Sequence, residues 1–282
     1  MIMLALRLCI AMLALPVMAQ VPTSDLFLID LTTHEARRLP TPVGYNNQPS
    51  FLPDGRLLFA GNYDDQTDLY IADASGTAIQ QLTFSQESEY SPTLTPDGAH
   101  ISSVRVESDG TQRLWQFPLE GGPGKVLLPH VKGVGYHLWV SEQRLALFIV
   151  GTPHTLVLGS REGGPTQILF SEPGRCLAQV PGTSMFSVMR NTRKGPRLVL
   201  FSRNDMLAEK SLEPLEGAQD YCWTPAGLLL MGSGSELHQL DSHQANGTWS
   251  LRVDLASKDI GQISRMAVSP DGKRLALVSL QE

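Results

Sequence analysis

Seven histidines, three cysteines and 28 acidic residues give this chain the material for acid–base, nucleophilic or metal chemistry, yet few stand at spacings such chemistry uses. The densest group, HQLDSH, offers His238, Asp241 and His243. Alternation along a strand turns His238 away from Asp241 and His243, and no fourth ligand is at hand, so no metal is expected there. NYDDQTD, Asn62 to Asp68, is rich in oxygen atoms but lacks the alternating aspartates, central glycine and distant glutamate of a calcium loop, and reads as a solvated hairpin. GSGSE at Gly232 has the wrong order for a nucleophile elbow, and GGPGKV at Gly121 lacks the first glycine and the Ser/Thr of a phosphate loop. Both read as hairpin turns, as does NGT at Asn246, and no cofactor is expected.

The elements that must position any chemistry are repeated. Pro-Asp-Gly occurs at Pro53, Pro96 and Pro270, with degenerate copies at Ser141, Pro181 and Pro225, giving spacings of 43, 45, 40, 44 and 45 residues. A second series, DLFLID at Asp25, DLYIAD at Asp68, RLWQFP at Arg113, TLVLGS at Thr155, RLVLFS at Arg197 and ELHQLD at Glu236, runs at 43, 45, 42, 42 and 39. Each unit reads as four short strands rich in β-branched, aliphatic and aromatic residues, separated by Gly, Asp, Asn and Pro clusters. Such a unit of about 40–45 residues is the mark of a propeller blade.

The expected fold is therefore all-β, a six-bladed β-propeller. Five blades are expected near 46–85, 90–130, 135–171, 175–214 and 219–256. The sixth is shared, two strands from 263–282 and two from 25–40, which removes the sheet edges an open array would expose. QPSFLPDGRLLFAGNYDDQTDLYIADASGTAIQQLT, Gln48 to Thr83, with SPTLTPDG at Ser91 and AVSPDG at Ala267, resembles the TolB-type, WD-like β-propeller repeat family of bacterial periplasmic proteins. The resemblance implies export and a propeller that binds other molecules. It does not fix a substrate, because the same repeat serves scaffolds, peptidase-associated propellers and some lyases. TolB itself is not expected, since its propeller follows an α/β domain and the repeats here begin close to the leader described below.

In a propeller the loop entering each innermost strand opens onto one mouth of the central channel. Those positions hold Tyr45, Asn46 and Gln48, then Glu89 and Tyr90, Tyr136 and His137, Arg175, Asp220 and Tyr221, and Arg265. A ring mixing tyrosines, arginines and two acids suits a polar ligand or a peptide. As rim charges, Arg175 and Arg265 are expected to contribute little to folding. Trp115, Trp139 and Trp223 are assigned to packing between blades. Cys176 and Cys222 are expected to stay unpaired, because a stagger of about two residues separates them by about 6.6 Å along neighbouring strands.

The first nineteen residues carry one cation, Arg7, an apolar run from Leu8 to Leu15, Pro16, and a small residue at Ala19, the pattern of a signal peptide cleaved after Ala19. Loss of Arg7 takes the net charge from −6 to −7, and no basic run is long enough to suggest nucleic acid. The expected product is periplasmic or secreted, monomeric and not inserted in the membrane after cleavage. Its expected role is that of a non-catalytic scaffold binding a periplasmic or envelope protein, or a small polar ligand or peptide, at the channel mouth. The alternatives are a propeller lyase or hydrolase using the same polar residues, or a sensor domain of a membrane partner.

Overall fold

The computed structural model of the protein describes residues 23–63, 65–218, 220–242 and 247–280. The expected signal peptide, with Asp64, His243 and Asn246, lies outside the described residues. Short apolar runs broken by Pro-Asp-Gly fold as hairpins because the turn chemistry is satisfied locally. Gly55, Gly98 and Gly272 take φ of 85°, 69° and 72°, and the preceding Asp54, Asp97 and Asp271 each accept a hydrogen bond from the backbone NH two residues on, at 2.9–3.1 Å.

The strands run in chain order. The described chain opens with β1 (Ser24–Asp30) and β2 (Ala36–Arg38), and the first complete blade is β3 (Tyr45–Phe51), β4 (Leu57–Tyr63), β5 (Gln66–Ala72) and β6 (Ile79–Gln81). The second is β7 (Ser88–Leu94), β8 (His100–Val106), β9 (Gln112–Pro118) and β10 (Lys125–Val126). The third is β11 (Val134–Trp139), β12 (Arg144–Ile149), β13 (Thr155–Ser160) and β14 (Gln167–Ser171). The fourth is β15 (Pro173–Gln179), β16 (Met185–Thr192), β17 (Gly195–Ser202) and β18 (Ala208–Leu212), and the fifth is β19 (Tyr221–Trp223), β20 (Leu228–Ser233), β21 (Glu236–Asp241) and β22 (Ser250–Asp254). Finally β23 (Gln262–Val268) and β24 (Arg274–Leu280) join the first two strands in the order β2-β1-β24-β23. The pairing of β1 with β24 is antiparallel and unbroken from Ser24 opposite Leu280 to Asp30 opposite Arg274. The protein is a six-bladed β-propeller whose ring closes through this shared blade, as the repeat register predicts.

Its core is distributed among the blade junctions. The alternating side chains of β24 show how: Leu275 and Leu277 pack with Leu230, Leu237 and Ile263, whereas Ala276 and Val278 pack with Leu57 and Phe59. One strand thus serves two junctions, because neighbouring residues face opposite sides of its sheet. Trp139 and Trp223 close β11 and β19 at matching positions, and their indole NH groups donate to Ser102 and Ser187 of the preceding blades at 2.9 Å. Trp115 is not their counterpart. It lies on a third strand, where its NH donates to Glu107 at 2.8 Å and the Arg105 guanidinium lies over its ring. Cys176 and Cys222 are free thiols.

Candidate functional site

The innermost strands line the axis, and Tyr45, Tyr136, Arg175, Asp220 and Arg265, from five blades, stand together there, whereas the Tyr90 hydroxyl accepts from Thr67 Oγ1 of the first blade at 3.2 Å. Arg175, Asp220 and Arg265 are successive at intervals of 45 residues, one repeat apart, and they bond around the ring. Arg265 Nη1 donates to Asp220 Oδ1 at 3.0 Å, and Arg175 Nε donates to Asp220 Oδ2 at 3.0 Å, joined by its Nη2. Arg175 Nη2 also reaches the Ser264 carbonyl at 3.2 Å. The Arg265 guanidinium lies 4.9 Å from the centre of the Tyr136 ring, and the Tyr45 and Tyr90 rings meet edge to face at 6.4 Å.

This belt forms a waist between two cavities. Toward the ends of the strands that begin each blade lies a cavity of about 380 Å³ bounded by Tyr45, Asn47, Gln262 and Ser264. Toward the Pro-Asp-Gly turns lies one of about 360 Å³ bounded by Gln48, Thr93, His137, Gln179 and Tyr221. Tyr136, Arg175, Asp220 and Arg265 border both. Each volume is within the range of a small-molecule or peptide-tip site.

The electrostatics follow from burial. Asp220 and Arg265 expose only 5% and 13% of their side chains, whereas Arg175 exposes 37%. Arg265 is thus an interior charge rather than the rim charge the sequence suggests. Burial is the largest influence and opposes its charged form, but Asp220 together with Tyr136, Cys176 and Tyr45 outweighs it and its pKa is raised. Burial raises the Tyr45 phenol too, against the opposing pull of Arg265, and pushes the Cys176 thiol up to about 12 with Asp220 adding to the effect. A protonated thiol is a poor nucleophile.

The remaining expected site residues are distributed differently. Asn46 is wholly buried and clamps the closing blade to the first, donating to the carbonyls of Ser24 and Pro42 at 3.0 and 3.1 Å and accepting from Tyr63 Oη at 2.6 Å. Its neighbour Asn47 lines the cavity instead, as alternation from Tyr45 would place it. Gln48 adopts φ of 56° in the bulge of β3, and its Oε1 accepts from the Ser91 NH at 2.7 Å, tying the first two blades together.

Glu89 borders neither cavity. It is buried between the first two blades, accepting from Arg105 Nε at 2.8 Å, Ser85 Oγ at 2.7 Å and Thr83 Oγ1 at 3.0 Å. Thr83 Oγ1 also lies 3.1 Å from Asp68 Oδ1 and accepts from the Leu69 NH. Burial outweighs these bonds and lifts Glu89 to about 6. His137 lines the cavity on the Pro-Asp-Gly side together with Arg175, but its Nε2 is held 2.7 Å from Ser102 Oγ, and burial depresses its pKa to about 3. Tyr221 is buried beneath Cys176, which donates its thiol proton to the Tyr221 carbonyl. Sequence reasoning passes over Gln179, whose Nε2 spans from the fourth blade to the Trp139 carbonyl at 2.7 Å. His238 lies 2.9 Å from Glu236, and among the described residues no three His, Cys, Asp or Glu side chains cluster as metal ligands would.

No family model matches the chain. Curated relatives are the Tol-Pal system protein TolB of Francisella tularensis strains, 33% identical over 60 residues, which is 20% of this chain and 14% of that protein's length. A solved structure described as TolB from Agrobacterium tumefaciens superposes with a TM-score of 0.69 at 14% identity, covering 93% of this chain and 99% of that one. A gluconolactonase of Xanthomonas campestris superposes at 0.61 with 12% identity, covering 84% of this chain and 86% of that one. The chain is therefore similar to TolB-type propellers in fold over almost its whole length, and in sequence over about a fifth of it.

Proposed function

We propose that the protein is an exported, non-catalytic β-propeller that binds a periplasmic or envelope protein, or a small polar ligand or peptide, through the channel mouth bounded by Tyr45, Tyr136, Arg175, Asp220 and Arg265. The observation carrying this reading is that these five side chains, drawn from five blades, meet at one waist between two open cavities. Aromatic rings and a guanidinium fork supply area and directed hydrogen bonds at such a site. The TolB-like fold is in keeping with a binding propeller, and the gluconolactonase shares that fold too, so the reading rests on the site rather than on the neighbours.

The enzyme reading asks for an acid–base pair around one pocket. His137 and Arg175 do border the same cavity, but an imidazole depressed by burial to about 3 is a feeble base at neutral pH, and Glu89 lies in a blade junction away from it. Among the described residues no helix is long and apolar enough to cross a membrane. The test is photo-crosslinking in cells from a benzoylphenylalanine placed at Tyr45, with the exposed position Leu207 as control. A partner captured from Tyr45 and not from Leu207 is expected. Capture from Leu207 alone would move the site to the outer face of the fourth blade.

A further inference from the structure

The hydrogen-bonding inventory of the waist is lopsided. Of the side chains bordering the two cavities, Arg175 and Arg265 are the cations and Asp220 the carboxylate, so the site carries one positive charge in excess. Asp220 is already engaged on both oxygens by the two guanidinium groups. The donors are not used up: Arg265 Nε and Nη2, Arg175 Nη1, and the hydroxyls of Tyr45 and Tyr136 have no hydrogen-bond partner among the described residues. Tyr45 is a neutral phenol here and retains its proton to donate. All five reach the solvent of the cavities, so acceptors carried in by a ligand can take the place of water on them, and a site faced by five such donors favours acceptors.

We propose that the waist binds a carboxylate, seated between the free edge of Arg265 and the hydroxyls of Tyr45 and Tyr136. This rests on the channel being the binding site and names the chemistry of what enters it. A guanidinium edge offers two parallel N–H groups matched to the two oxygens of a planar carboxylate, and one excess positive charge balances one negative charge. The Tyr136 ring 4.9 Å from the Arg265 guanidinium and the Asp220 carboxylate on its Nη1 both restrain that group, so its fork is positioned before the ligand arrives. Asp220 plays two opposed parts: it stabilises Arg265 in the interior and competes with the incoming carboxylate for it. The carboxylate can come from a free small acid or from an acidic residue on a peptide.

Calorimetric titration of the exported protein at low ionic strength separates these. The probes are succinate, hexaglutamate, hexaglutamine and inorganic phosphate. Hexaglutamate or succinate is expected to bind at one site per protein, weakening as salt rises, with hexaglutamine at least tenfold weaker. Succinate matching hexaglutamate identifies a small acid as the source, and hexaglutamate alone identifies an acidic peptide. Arg265→Gln should weaken binding tenfold or more. Because that variant removes an interior charge, the double variant Tyr45→Phe with Tyr136→Phe provides a second reading that leaves the ion pairs intact, with an expected loss of about fivefold or more. Asp220→Asn should tighten binding several-fold, the reverse of what a general loss of structure would do. The inference is overturned if hexaglutamine binds as well as hexaglutamate, if phosphate binds more tightly than both carboxylates, if the tyrosine double variant changes nothing, or if no carboxylate binds at millimolar concentration. In the last case, a partner still crosslinked from Tyr45 would leave the channel reading standing and remove only its anionic chemistry.

Discussion

Replacing Asp220 by Asn keeps the size of the side chain and removes the charge that two guanidinium groups share. Its cost can be worked out partner by partner. Arg265, with 13% of its side chain exposed, would remain as an interior cation without a counter-ion. Breaking a buried pair in this way costs about 3–5 kcal/mol, in line with about 4 kcal/mol for unit charges about 4 Å apart at an effective dielectric near 20. Arg175, with 37% of its side chain exposed, is screened by solvent and should contribute only about 0–1 kcal/mol. The expected loss is therefore at least about 3 kcal/mol, a fall in melting temperature of at least about 6–12 °C at about 2–4 °C per kcal/mol for a domain of this size. Urea and thermal melts of Asp220→Asn, Arg265→Gln, Arg175→Gln and the two double variants measure each coupling. The Asp220–Arg265 coupling should be about 2–3 kcal/mol and the Asp220–Arg175 coupling below about 1 kcal/mol. Equal couplings, or an Asp220→Asn protein within about 0.5 kcal/mol of the wild type, would refute the assignment of Arg265 as an interior charge.

Two further outcomes are expected. Glu89 has a folded pKa of about 6 against an ordinary 4.5, because burial disfavours its charge; its stabilising contribution is complete below about pH 4.5 and is lost as pH rises through about 6, while His137, depressed to about 3, acts in the opposite sense below about pH 6.5, so the unfolding free energy of the wild type relative to Glu89→Gln should be higher at pH 5 than at pH 7 by about 2 kcal/mol or less. Asp97 and Asp271, held low chiefly by the hydroxyls of Thr95 and Ser269, titrate beneath this window, so a Glu89→Gln protein that kept the full slope would show that Glu89 is not its source. Ending the chain at Gly261 removes Leu275, Ala276, Leu277 and Val278, all fully buried; at about 1.5–3 kcal/mol for each large apolar side chain against a total of about 5–15 kcal/mol, the product should be insoluble, and a soluble, cooperatively melting one would contradict closure through β24.

The repeat was legible because Pro-Asp-Gly turns and apolar runs state their geometry locally, whereas sequence reasoning passes over the 45-residue interval linking Arg175, Asp220 and Arg265, which puts them at one level of the ring. What the sequence conceals is facing. A strict alternation from Tyr45 would have chosen Asn47 over Asn46, but bulges interrupt β3 between Asn47 and Ser50, β7 between Tyr90 and Thr93, and β15 between Pro173 and Leu177. Each bulge resets which neighbour turns toward the axis. Glu89 and His137 show the second obstacle. Their partners, Arg105 and Ser102, stand 16 and 35 residues away, so that only the packed blades reveal Glu89 as a junction residue and His137 as a restrained one. Trp115 matches the other tryptophans in kind but not in strand, which spacing from the nearest turn would have distinguished.

The antiparallel pairing of Ser24 with Leu280 has a topographical consequence. Leu280 borders the same cavity as Tyr45 and Arg265, and the Ser24 NH donates to the Gly44 carbonyl, one residue before Tyr45. Ser24 and Leu280 thus both stand at the mouth that Tyr45 borders. A tether there, whether a leader, an affinity tag or attachment to a sensor chip, would turn the candidate site toward the surface to which the protein is fixed. Attachment through the Pro-Asp-Gly turns at the opposite end would leave that mouth facing solution.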